Sequence, residues 1–77
     1  MKTDFQNLIK TNFKNTLNFG RVIGVSYPTA WKYVNYPLYM RLIDIQKLSN
    51  ELNIDIKIIV QMAINSSEIT IKHEGDE

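Results

Sequence analysis

The sequence predicts an all-α domain of five short helices, and three observations carry that reading. Apolar residues recur at helical spacing: Phe5, Leu8, Ile9 and Phe13 early, Leu42, Ile45, Leu48 and Leu52 later, then Ile56, Ile59, Val60 and Ala63. Helix starters and stoppers punctuate those stripes at Asn15, Gly24 to Ser26, Pro37, and Asn53 to Asp55. Other staples are out of reach: 77 residues with no cysteine and one histidine offer no disulfide and no ligand set for a structural zinc. A chain of this size buries only about 60% of its unfolded surface, so it needs a tight helical core, a partner subunit, or both.

Each element follows from local chemistry. Thr3 or Asp4 caps the first helix, which is expected to end near Asn12. Asn15 caps the second, Thr16 to Ile23, with Leu17 or Phe19, Val22 and Ile23 as its buried positions. Gly20 inside that helix costs about 1 kcal/mol relative to Ala, and such a glycine marks close approach of another helix. Gly24 supplies the positive φ that ends the helix. Val25 is a buried turn residue and Ser26 caps a third helix, Tyr27 to Val34. Pro28 falls in its first turn, where the missing N–H would be unpaired anyway. Ala30, Tyr33 and Val34 point to one side of this helix, and Tyr27, Pro28, Trp31, Lys32 and Asn35 to the other.

Asn35 to Tyr39 reads as a loop, since Pro37 blocks helix continuation. A fourth helix follows from Met40 to Leu52, closed by Asn53, and Asp55 caps a fifth from Ile56 to Asn65. Ile58 and Met62 form a second apolar strip on it, which either packs under the C-terminal segment or, the favoured reading, makes a dimer seam. Residues 1–65 therefore form the domain and residues 66–77 an acidic tail. Ser66-Ser67 is read as a break, after which Glu68 to Lys72 alternates as a short strand does; disorder is the other reading of the tail.

At 44% hydrophobic and 22% charged the chain is globular, and its net charge of +1 hides an asymmetry. Between Phe5 and Ile43 stand five basic residues (Lys10, Lys14, Arg21, Lys32, Arg41) and no acid. From Asp44 onward seven acids face three lysines. A basic half favours a polyanionic partner. Asp44, Glu51 and Asp55 are read as solvent-exposed or capping residues. One histidine and no cysteine build no nucleophile–base pair, and no glycine-rich phosphate loop occurs, so neither an enzyme nor a cofactor, metal or small-molecule site is expected. The run Ile58-Ile59-Val60 is too short to span a bilayer and no signal segment opens the sequence. A cytoplasmic protein is expected.

The run from Thr16 to Tyr33 resembles the helix-turn-helix of the lambda-repressor/Cro-like family. Phe19 stands at the family's apolar position, Gly20 at its small-residue position, and Ile23-Gly24-Val25-Ser26 matches its apolar-Gly-Val-Ser turn. Ala30 and Tyr33 occupy the buried positions of the recognition helix, Asn35 the polar position of the next loop, and Leu42, Ile45, Leu48, Leu52, Asn53 and Ile54 the fourth helix and its turn. The likeness covers residues 4–64. It departs at Thr16, where the family has Gln, at Gly20 for Ala, at Ala30 for Val or Ile, and at Met40, where the family's loop proline would fall.

The resemblance implies a compact five-helix DNA-binding domain whose third helix enters the major groove. Ser26, Tyr27, Pro28, Thr29 and Lys32 would then face DNA, with Trp31 beside them on the same outward face. Lys32 can donate to guanine or phosphate, and Tyr27 can pack on a thymine methyl. The tip carries no Arg, Gln or Asn, so base discrimination would be weak or rely on shape. Lys10, Lys14, Arg21 and Arg41, with Asn15, Asn35, Tyr36 and Tyr39, are the implied phosphate contacts. The expected function is a sequence-specific transcriptional regulator, a Cro-like repressor of a phage or mobile element. It would bind double-stranded DNA as a homodimer in a bacterial or phage-infected cell. The alternative is the same fold reused as a protein-interaction module, such as a phage accessory or anti-host factor, through Tyr27, Trp31 and Tyr36.

Overall fold

A computed structural model describes the backbone of residues 2–75 and the side chains of residues 2–67. Five α-helices follow one another: α1 (Asp4–Phe13), α2 (Thr16–Ile23), α3 (Tyr27–Asn35), α4 (Leu42–Leu52) and α5 (Ile56–Gly75). A 3-10 turn, Pro37–Tyr39, joins α3 to α4. Among the described residues there is no strand, and the all-α class holds.

The caps are where local chemistry demands them. Thr3 and Gln6 form a reciprocal capping box at the start of α1. Asn15 Oδ1 accepts the Asn18 amide at 2.9 Å and starts α2. Asn53, at φ 55° and ψ 43°, closes α4 in the left-handed region, and Asp55 accepts the Lys57 amide at 2.9 Å to start α5. Ser26 differs from expectation: its hydroxyl donates to Thr29 Oγ1 at 3.1 Å and caps no backbone amide.

The core gathers Phe5, Ile9 and Phe13 of α1, Phe19 and Ile23 of α2, Ala30 and Tyr33 of α3, Met40, Ile45 and Leu48, and Ile59 of α5. Phe13 and Phe19 meet at 5.5 Å between ring centroids with planes tilted by 52°, a favoured aromatic geometry. Of the alternatives Leu17 and Phe19 it is Phe19 that is buried, and Val22, expected inside, lies half-exposed, because the inward face of the eight-residue α2 is Phe19, Gly20 and Ile23.

The fourth helix holds the largest correction. Leu42 is 78% exposed, although it begins the apolar stripe, and Asp44, expected in solvent, is fully buried. Asp44 Oδ2 accepts the Tyr33 hydroxyl at 2.7 Å and Arg41 Nε at 2.9 Å. These partners compensate a charge that would otherwise be costly to bury, and they turn the first turn of α4 so that Asp44 and Ile45 face inward. The helix starts at Leu42, and Met40 is buried ahead of it.

At the C-terminal end, Ser66 and Ser67 lie inside α5 and are buried. Ser66 Oγ accepts the amide of Phe5 at 3.4 Å, one of the first-turn donors of α1 that no helix can satisfy itself. Buried side chains therefore extend to Ser67, and the backbone over 68–72, read from the sequence as disordered or a short strand, is helical. Asp76 and Glu77, at the end of the expected tail, lie outside the described residues.

Candidate nucleic-acid interface

The unit that presents the candidate interface is built from α2, a tight turn and α3. The amides of Gly24 and Val25 both return to the carbonyl of Gly20, at 2.8 and 2.9 Å. Gly24 adopts φ 84° and ψ 37°, a left-handed conformation suited to glycine. A Cβ on Gly20 would stand 3.0 Å from Ala30 Cβ and 3.2 Å from the Val25 carbonyl, so its absence lets α3 lie directly on α2. Lys47 of α4 closes the unit from outside, donating to the Ile23 carbonyl at 3.3 Å. That cap had no signal in the local sequence, being 24 residues away.

This packing buries Ala30 and Tyr33 and leaves Ser26, Tyr27, Pro28, Trp31 and Lys32 exposed, as the outward face requires. Thr29 is half-buried; its oxygen receives the Ser26 hydroxyl and its own hydroxyl proton stays available. Lys32 turns along the helix toward its end: its ammonium sits 4.7 Å from the centre of the Tyr39 ring, within cation–π range. Trp31, Tyr36 and Tyr39 form a row of edge-to-face contacts, with centroid separations of 6.4 and 6.0 Å.

Beside Trp31 runs a groove of about 360 Å³ between α1, the start of α2 and α3, lined by Lys2, Lys10, Lys14, Asn15 and Trp31 among others. Contact with the Lys10 side chain, and then the charge of Lys10, push the Lys2 ammonium below its ordinary pKa. Like charges gathered in a groove raise its affinity for an anion. Lys2 was not among the expected contacts, because Asp4 two residues away cancels it in the sequence. Lys14 carries a further mark, φ 73° and ψ −45°, a region that L residues rarely occupy.

Other expected contacts are engaged elsewhere. Asn35 accepts from Gln6 Nε2 at 3.1 Å and donates to the Trp31 carbonyl at 2.9 Å, which holds its amide within the protein. Arg41 is paired with Asp44, so part of its charge is answered. Arg21 is exposed on α2, and Asn15, which caps that helix, is exposed at its start. Ile58 is 53% exposed and Met62 is half-buried, both on α5 and away from the α2–α3 unit in the chain.

Comparison with protein-family models, with curated proteins and with solved structures gives no match. Among the described residues no helix is long and apolar enough to cross a membrane. What stands is a class: an all-α domain whose third helix is held on the second by a glycine contact and shows its other side to solvent.

Proposed function

We propose that this chain is a small double-stranded-DNA-binding transcriptional regulator that acts by occupying an operator, in the manner of Cro-like repressors. The observation that carries the reading is the seating of α3 on Gly20, which leaves its outward face exposed in a stretch of sequence, Phe5 to Ile43, that has five basic residues and no acid. Helix-turn-helix proteins use the first turn of such a helix to meet base edges while lysines and backbone amides hold phosphates. Ser26, Tyr27, Pro28 and Thr29 would read the groove, and Lys10, Lys14, Arg21 and Asn15 would set the register. The exposed Ile58, with Met62, offers the seam for a homodimer on two half-sites. A fluorescence-anisotropy titration of duplex DNA across salt concentrations tests the reading. Binding that weakens with salt supports it, and no binding at about 50 mM salt rejects it. Light scattering on the eluting protein tests the dimer: an Ile58→Lys variant should run as a monomer with its helicity intact.

A specific observation favours a second reading. Leu38, Tyr39, Leu42 and Ile43 place four exposed large apolar side chains within six residues, and such patches mark protein contacts. Under this protein-interaction reading, Leu42→Ser with Ile43→Ser abolishes function in cells while duplex binding is unchanged.

A further inference from the structure

We infer that the groove beside α1 and the aromatic row at the end of α3 form one surface for an unpaired polynucleotide strand, its phosphates on Lys2, Lys10 and Lys14 and its bases on Trp31, Tyr36 and Tyr39. The inference goes beyond duplex recognition and does not rest on it.

The aromatic row is not accounted for by folding. Trp31, Tyr36 and Tyr39 are 48%, 43% and 63% exposed, and none belongs to the core. Their mutual contacts are edge to face, with planes at 64° and 66°. Each contact seats the edge of one ring on a face of its neighbour, and Lys32 lies over one face of Tyr39, so a base can take only the faces these contacts leave uncovered. A duplex has little use for those faces, because its bases are already stacked inside the helix and present only edges and phosphates. Unpaired bases do offer faces, and aromatic side chains take them with little regard to sequence.

The cations select the same ligand. Trp31 belongs to both features: it lines the lysine groove and touches Tyr36. A strand crossing from groove to row therefore meets positive charge first and ring faces next. Lys32 lies over Tyr39 at 4.7 Å, so the far end of the row carries a cation as well. From Lys2 to Ile43 one acid, Asp4, stands against six basic residues, so this part of the chain is complementary to a polyanion with aromatic bases. The crowding of Lys2 against Lys10 is relieved by a bound phosphate.

The test uses the single tryptophan as its probe. Oligothymidylate and oligouridylate, which do not self-pair, are titrated into the protein while Trp31 fluorescence is followed; the two arms separate DNA from RNA. Saturable quenching is expected, with log affinity falling as log salt rises by roughly 0.7 for each phosphate held. Tyr36→Ala and Tyr39→Ala, at exposed positions, should each weaken binding by about tenfold or more with circular dichroism unchanged. Lys10→Gln with Lys14→Gln should flatten the salt dependence, while Lys57→Gln on α5 should not. A hairpin duplex is titrated in parallel by anisotropy. Duplex binding without single-strand quenching overturns the inference and leaves the regulator reading standing; quenching without duplex binding does the reverse. Quenching that is indifferent to both tyrosine variants also overturns it, as does quenching by neither oligonucleotide at about 50 mM salt.

Discussion

The Tyr33 hydroxyl of α3 donates a 2.7 Å hydrogen bond to the carboxylate of Asp44 on α4, and both side chains are buried. The outward helix is thereby bolted to the scaffold behind it. Tyr33→Phe should leave a fully buried carboxylate with one partner fewer and lower stability by about 1–3 kcal/mol. Asp44→Asn should cost a similar amount, and the double variant less than the sum, since both remove the same contact. Urea unfolding of the four proteins measures the coupling.

Asp44 also gives the protein an acid limb. Burial pushes its carboxyl up, but hydrogen bonds from Arg41 and Tyr33, together with the charges of Arg41 and Lys47, outweigh burial and hold it below the ordinary 3.8. Folding thus favours the ionised form. The associated stability is complete above that ordinary value and is lost as pH falls below it, toward the lowered native value. Urea midpoints of the wild type should drop in that window, and Asp44→Asn should remove this part of the drop.

Gly20→Val should disrupt the α2–α3 seat. The smallest side chain already meets Ala30 Cβ at 3.0 Å and a backbone carbonyl at 3.2 Å, neither of which is a flexible end that can swing aside. Overpacking of this kind costs about 1–3 kcal/mol, and α3 must tilt away from α2. Thermal unfolding should show the loss, and duplex affinity should fall further than that of an exposed control such as Val22→Ala.

Lys14→Gly should move stability and binding in opposite directions. An L residue at φ 73° and ψ −45° stores on the order of 1 kcal/mol or more, which glycine releases. The same change takes one cation out of the groove. A higher melting temperature with a shallower salt dependence of nucleic-acid binding is the expected pair of results.

Much of this fold was legible in the residues because its elements are short and sharply capped. Asn15, Gly24, Asn53 and Asp55 mark their boundaries by local chemistry, and the glycine contact at Gly20 was readable from its place in an apolar helix. What escaped was set by partners distant in sequence. Asp44 looked like a solvent residue until Tyr33, eleven residues back, supplied its hydrogen bond, and Leu42 was displaced from the core as a result. Ser66 looked like a helix breaker because its partner, the Phe5 amide, is 61 residues away. Tyr27, Pro28, Trp31 and Lys32 of α3 are exposed as read, but the tie of Asn35 to Gln6, the gathering of Lys2 into the groove and the tilt of the aromatic rings depend on tertiary placement.

The bond between Phe5 and Ser66 bears on how the protein assembles in time. Its two ends are 61 positions apart in the chain, so the bond forms only once the intervening helices have brought the ends together. The first-turn amide of α1 finds this partner only when α5 docks. The earliest helix in the chain and the last one are therefore fastened in the same event, and hydrogen exchange should show them opening together.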